Sequence, residues 1–169
     1  MSGPTQLPPP QGVDRIAVTT AAEMDRAVKE HAGRCQVIIM AAAVSDFRPL
    51  EVSDRKIKKN VAPLQVALVP TTDILQGLGE TKEGRILVGF AAETDALVLN
   101  SREKLARKNL DLIIANDINA PGSGFAVDTN RATMIDRAGT IDELPSMTKA
   151  ELAVRIINKV IELKKNQGL

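Results

Sequence analysis

Four cationic side chains crowd into the stretch SDRKIKK at residues 53–59: Arg55, Lys56, Lys58 and Lys59. The whole chain carries 22 Lys and Arg against 21 Asp and Glu, a net charge of +1, so this concentration is local. In an extended segment alternate side chains share a side, which points Lys56 and Lys58 together and Lys59 away. Two ammonium groups on one side can neutralise a polyphosphate or a pyrophosphate leaving group. Taken alone, a charge run of this kind is more often a solvated surface patch. Its place, in a long irregular excursion just after a strand end, is where binding loops occur. A second pair, Lys104 and Lys108, is spaced i, i+4 and shares one helix face, with Glu103 and Arg107 beside it. By spacing alone that is an ordinary exposed helix face; with the first cluster it offers a second wall for a phosphate site.

Asp46 closes the stretch AAAVSD. Small residues let a ligand approach the backbone, and an acid at a strand end can hold ribose hydroxyls or metal-bound water; a plain turn aspartate is an equal reading. Asp73 falls in the first turn of a helix, where a carboxylate favours the macrodipole, so its role reads as mostly structural. The open N–H groups of residues 72–75 can also hold an anion or a carbonyl. His31, the one histidine, has no serine and acid arranged around it as a triad and reads as a surface residue. Cys35 enters an apolar strand and reads as a packed thiol. Neither G-x-G-x-x-G nor G-x-x-x-x-G-K-[ST] occurs, so the usual dinucleotide and P-loop signatures are missing.

The elements that must position these residues follow from pattern. Residues 2–13 hold four prolines and read as an extended lead-in. RIAVTT (15–20) predicts a strand, and Thr20 with Glu23 forms a capping-box signature for a helix over 21–33. QVIIMA (36–41) is an apolar run without alternation, as in parallel strands buried on both faces. Residues 42–63 break the rhythm. Strands are then expected at 64–70, 85–93 and 110–117, and helices at 71–80, with Thr71 or Thr72 as N-cap, and at 95–109. Residues 120–124 predict a flexible loop, and 131–144 a hairpin around Ala138-Gly139. A second capping box, Thr148 and Glu151, starts a long terminal helix running to about 165.

Strands alternating with helices predict an α/β, doubly wound sheet, in which ligands sit at the carboxyl ends of strands. The polar stretches AAAVSDF, PTTDIL, GFAAETD and ANDI fall there. At 169 residues, 44% hydrophobic and 25% charged, one soluble domain with no internal boundary is expected. Aromatic residues are only 2%, which with the near-neutral charge argues against nucleic-acid binding. One cysteine excludes an internal disulfide and any multi-cysteine metal site, and no metal ligands are assigned. The longest apolar run, residues 37–44, is too short to span a membrane, and the N-terminus has no signal-peptide pattern, so a cytoplasmic location is expected.

AAAVSDFRP, KIKK, TTDIL, VGFAAETD, KLARKNLDLIIAND and GFAVDTN occur here in an order and spacing that resembles one family over nearly all of residues 2–165. It is the bacterial phosphopantothenoylcysteine synthetase domain, often fused to a flavin-dependent decarboxylase in coenzyme A biosynthesis. The resemblance implies a three-layer, Rossmann-like fold, a mostly parallel sheet flanked by helices, with a basic flap loop. It implies a ligase that uses CTP and Mg²⁺ to convert 4'-phosphopantothenate into an acyl-cytidylate, releasing pyrophosphate, before L-cysteine attacks and CMP leaves. By motif, the backbone of Met40, Ala41 and Ala42, together with Asp46, resembles nucleotide-binding positions. Ala43 resembles a position near the acyl-cytidylate, and Lys56 the lysine that activates the carboxylate. Thr72, Asp73, Ile74, Leu75, Phe90, Lys104 and Lys108 resemble the remaining CTP contacts. A homodimer, an associated or fused decarboxylase domain, and no flavin in this domain are also implied.

Two departures stand out. Members of the family begin with a strand, a glycine-rich loop, an SN-x-SSG segment and a helix, and residues 2–13 resemble the stretch after that helix. The chain therefore reads as a single but N-terminally truncated domain, and a CTP-binding fragment without catalysis is the competing expectation. PTTDIL also carries Thr72 where proline is common, a change tolerable at a helix start.

Overall fold

The computed structural model describes residues 1–59, 64–93, 96–117, 128–166 and 168. It resolves two compact units, residues 1–30 with 42–74, and residues 31–41 with 75–169, where the sequence reading expects no internal boundary. In chain order the elements are α1 (Ala21–Ala32), β1 (Val37–Met40), β2 (Phe47–Pro49), β3 (Leu68–Pro70), α2 (Ile74–Glu80), β4 (Ile86–Glu93), α3 (Leu97–Arg107), β5 (Leu112–Asp117), β6 (Thr129–Asn130), β7 (Ala132–Asp136), β8 (Ile141–Glu143), β9 (Met147–Thr148) and α4 (Lys149–Asn166).

The second unit is built on a five-stranded sheet ordered β1-β4-β5-β7-β8. β1, β4 and β5 run parallel, and β7 and β8 add antiparallel pairs. The run ILVGF is apolar at every position because both faces of β4 are covered. One face carries Ile86, Val88, Leu112, Ile114, Ala132 and Met134, packed with Leu152, Ile156 and Val160 of α4. The i, i+4 spacing of those three α4 residues is what turns them to one side of the helix. On the opposite face Leu75 of α2 and Leu110, just after α3, press on Gly89. The unit is therefore a three-layer α/β arrangement. Ile86, Leu87, Leu110, Leu112, Ile113 and Ile114 are fully buried; each such side chain contributes roughly 1.5–3 kcal/mol.

β1 departs from its expected burial on both faces: Ile39 is 38% exposed, and Val37, Ile38 and Met40 are half-buried. The reason is position, since β1 is the edge of this sheet and is paired with β4 alone.

In the first unit the strand expected at 15–20 is reduced to a single parallel bridge between Ser2 and Ala17. The capping box that follows forms as anticipated: the Glu23 carboxylate accepts the N–H groups of Thr19 and Thr20 at 2.7 and 3.3 Å, and Thr20 Oγ1 accepts the Glu23 N–H at 3.2 Å. The strand expected at 64–70 is confined to Leu68–Pro70 and pairs with β2 in an antiparallel ladder that the irregular composition of 42–63 concealed. α2 begins at Ile74, later than the expected 71.

The second capping box also forms, with Glu151 accepting the Thr148 N–H at 2.8 Å and Thr148 Oγ1 accepting the Glu151 N–H at 3.2 Å. The hairpin expected at 131–144 is β7 and β8, turning at Gly139, whose φ of 91° suits glycine. The loop expected at 120–124 lies outside the described residues, as do residues 94 and 95 of GFAAETD and residues 124–127 of GFAVDTN. Among the described residues no helix is long and apolar enough to cross a membrane.

Candidate functional site

The parallel order of β1, β4 and β5 sends three carboxyl ends to one rim of the second unit, the place where ligands of such sheets collect. Met40 is in register with Gly89, and Ala41 leaves β1 beside Phe90. Phe90 is half-buried and packs against the α4-side cluster. Gly89 faces the other way. A Cβ there would meet Leu75 Cδ2 at 2.7 Å and Leu110 Cδ1 at 2.8 Å. Met40, Ala41, Leu75 and Phe90, remote in the chain, are thus drawn together around the carboxyl half of β4.

Lys104 and Lys108 stand elsewhere in this unit. α3 runs back against the strand direction, and its last turn, with Lys104, and its C-cap, Lys108, lead to the amino end of β5. Both are half-buried, and both interact with neighbouring groups. Lys104 and Arg107 near a helix C-terminus also complement the macrodipole, so the structural reading of this face retains force. Asn109 ends the helix in the left-handed region (φ 54°) and donates its amide to the Gly79 carbonyl at 2.8 Å, fixing the end of α3 on α2.

In the first unit Ala42 and Ala43 are exposed, as the approach of a ligand to the backbone requires. The Asp46 carbonyl accepts the Thr71 N–H at 2.8 Å, and Ser45 Oγ donates to the Phe47 carbonyl at 2.9 Å. The first of these bonds holds Asp46 next to the 71–74 turn, so Asp46, Thr72 and Asp73 are neighbours, with Ile74 buried below them. Thr72 and Asp73 are exposed, and the Thr71 hydroxyl is buried without a hydrogen-bond partner.

Lys56 belongs to an arm that leaves β2 and returns through β3, closed at its base by Leu50 N–H donating to the Ala67 carbonyl at 2.9 Å. Residues 55–59 adopt no regular element and are exposed. Ser53 Oγ donates to the Arg55 carbonyl at 2.8 Å and shapes the turn before Lys56. An open groove of about 780 Å³ lies along the arm, with Leu50, Val52, Ile57, Leu64 and Val66 among its walls. Glu51, Ser53, Arg55 and Gln65 also line it, and none of the candidate contact residues does.

Two residues at the rim escaped the sequence reading. Asn116, the last residue but one of β5, is in register with Ala92, and Asn130 of β6 donates an Nδ2 hydrogen to Asn116 Oδ1 at 3.0 Å. The sequence signals were the polar stretch ANDI at a strand end for Asn116 and the stretch GFAVDTN, which ends in Asn130. Among the described residues no three His, Cys, Asp or Glu side chains gather to hold a metal ion.

The family model described as the DNA/pantothenate metabolism flavoprotein C-terminal domain matches residues 1–163. The chain is 44% identical over 169 residues to the coenzyme A biosynthesis bifunctional protein CoaBC of Bacillus subtilis, covering 99% of this chain and 42% of that protein. It is 45% identical over 163 residues to a cysteine/cysteine sulfinic acid decarboxylase of an unknown prokaryotic organism, covering 95% of this chain and 45% of that one. It thus spans less than half the length of these curated relatives. Among solved structures, the C-terminal domain of a coenzyme A biosynthesis bifunctional protein CoaBC superposes with a TM-score of 0.81 at 35% identity, over 97% of this chain and 72% of that one. Matched from residue 1 to 163 and sharing the mixed sheet of that solved domain, the chain belongs to the family of DNA/pantothenate metabolism flavoprotein C-terminal domains.

Proposed function

We propose that this chain is the ligase domain of a coenzyme A biosynthesis enzyme, joining 4'-phosphopantothenate to L-cysteine at the expense of CTP. The carrying observation is that Met40, Ala41 and Phe90, matched by motif to nucleotide contacts, stand together at the carboxyl rim of a parallel sheet in a member of this family. In the first half-reaction a carboxylate oxygen of phosphopantothenate attacks the α-phosphorus of CTP. A phosphorus–oxygen bond forms, the bond to the β-phosphate bridging oxygen breaks, and pyrophosphate leaves. In the second, the cysteine amine attacks the acyl carbon, CMP departs with the bonding pair, and the amine loses its proton.

Lys56 opposes the negative charge that gathers between the attacking carboxylate and the triphosphate. Its place in KIKK matches the basic flap loop of the family by motif. Ala42 and Ala43 leave room for the acyl-cytidylate, Asp46 takes ribose hydroxyls, and the 72–75 turn supplies a further nucleotide contact; Lys104 and Lys108 join this proposal by motif alone, since the end of α3 carries them toward the amino end of β5. Mg²⁺ would supply charge neutralisation on the triphosphate. Among the described residues no carboxylate cluster would hold it without nucleotide. The exposed apolar side chains of the arm, including Phe47, Leu50, Val52 and Leu64, support association with a second copy. A fused or associated decarboxylase domain is part of the same proposal, since relatives of this chain are bifunctional.

The second reading is a CTP-binding fragment without catalysis. Pyrophosphate release with Mg²⁺, CTP and 4'-phosphopantothenate, with and without cysteine, separates the two. Release by the chain supports the ligase. Silence beside an active longer control, with CTP still bound, supports the fragment.

A further inference from the structure

We infer that Asn116, oriented by Asn130, reads the base of the nucleotide at the rim. The inference rests on the nucleotide reading above. β4 and β5 are in register as Phe90 with Ile114 and Ala92 with Asn116, so these four residues share one face of the sheet. Asn116 therefore stands one pleat beyond Phe90 toward the carboxyl edge, half-buried and at the margin of the rim. Asn130 arrives from the opposite direction, on the strand just before β7.

The pair is built for orientation rather than for charge. Asn130 is 7% exposed, and its Nδ2 donates to Asn116 Oδ1 at 3.0 Å. Its own Oδ1 is buried without a hydrogen-bond partner. A buried amide left half-satisfied is uncommon and calls for a reason. A neutral amide neutralises no phosphate, but its planar donor and acceptor match the edge of a base. With Oδ1 engaged by Asn130, the end of Asn116 turned away from that bond is Nδ2, a donor. A donor held in place suits a base whose ring nitrogen and carbonyl accept, as in cytosine. It opposes the ring N–H of uracil. An asparagine free to rotate by half a turn could satisfy either base, so Asn130 is the positioning residue and Asn116 the contact.

Calorimetric titration of the chain with CTP and with UTP, in the wild type and in Asn116→Ala and Asn130→Ala, tests this. The wild type should bind CTP about tenfold more tightly than UTP. Both substitutions should bring that ratio close to one, mostly by weakening CTP. A merely structural role would lower the melting temperature and leave the ratio unchanged. If the wild type prefers CTP and both variants keep the preference, the inference is overturned while the nucleotide reading stands. If the wild type binds neither triphosphate, both fall. Should Asn130→Ala fail to fold, Asn116→Ala, whose side chain is only half-buried, decides the matter through the same ratio.

Discussion

Lys82 Nζ lies 2.6 Å from Asp111 Oδ1, and the other oxygen of the same carboxylate accepts the Leu87 N–H at 2.8 Å. The side chains are 13% and 3% exposed. The Asp111 backbone completes the junction, its N–H donating to the Leu87 carbonyl at 2.9 Å and its carbonyl accepting the Arg137 N–H at 3.0 Å. One residue thus joins the turn before β4, the amino ends of β4 and β5, and the far end of β7. Replacing Asp111 with alanine strands a buried ammonium and a buried N–H. The variant should lose about 3–5 kcal/mol in urea unfolding, whereas a surface substitution such as Glu103→Ala should change little.

Stability should have an acid limb and a basic limb. Burial raises the Asp136 carboxyl, but the Thr140 N–H and the Lys159 ammonium outweigh it and hold the group below its ordinary value. The Thr19 and Thr20 N–H groups lower Glu23 in the same way, and the Thr148 N–H and hydroxyl lower Glu151. Each of these contributions is complete above the carboxylate's unfolded value, roughly pH 4, and fades as pH falls through the folded value, because the unfolded chain takes up its proton first. Lys159 is opposite in sign. Burial lowers it, bonds to Asp136 and Glu162 raise it further, and the net is upward. Its contribution is complete below the ordinary lysine value and fades as pH rises through the folded one. Urea midpoints across pH should therefore form a plateau with two falling edges, and Asp136→Asn should flatten both.

Two glycines of α2 should respond in opposite directions. A Cβ on Gly79 would run into the Lys108 carbonyl oxygen, which is backbone and cannot swing away. Gly79→Ala should cost about 1–3 kcal/mol and disturb the end of α3. A Cβ on Gly77 meets nothing within 4 Å. Gly77→Ala should stabilise the chain by roughly 0.5–1 kcal/mol through helix propensity. Thermal melts of the two variants side by side check the contrast.

Lys56 is exposed on its arm, so Lys56→Gln should leave the melting temperature unchanged. In a ligase-active form it should lower the rate of pyrophosphate release by about 10²–10³-fold, the size of effect seen when one preorganised charge-stabilising group is lost. A full rate in that variant would remove Lys56 from the chemistry.

Local signals were the ones legible in the sequence. Both Thr-x-x-Glu boxes start helices where their hydrogen bonds require, and the continuous apolar run of β4 marks a central strand because two layers cover it. The strand expected at 15–20 was read from composition, yet a strand needs a partner, and only Ser2 meets Ala17. QVIIMA looked doubly buried because hydrophobicity says nothing about which strand takes the edge. The β2–β3 ladder was hidden because its two halves are short and separated by the long irregular arm. Of the candidate site, the stretches at the strand ends were recognisable from their small and polar residues. The orientation of α3, which carries Lys104 and Lys108 toward the amino end of β5, and the amide pair of Asn116 and Asn130 both depend on register between distant segments.

The rim is also a crossroads. β1, β4 and β5 leave the sheet there, and the chain re-enters it there through Asn130 to begin β7. A molecule seated among Ala41, Phe90 and Asn116 would fasten the ends of three neighbouring strands to one another, adding to the ladders that already join them. Its grip would register less as a shielded patch than as slowed opening of the whole sheet, with amide protons deep in β4 and β5 exchanging with solvent more slowly although nothing touches them.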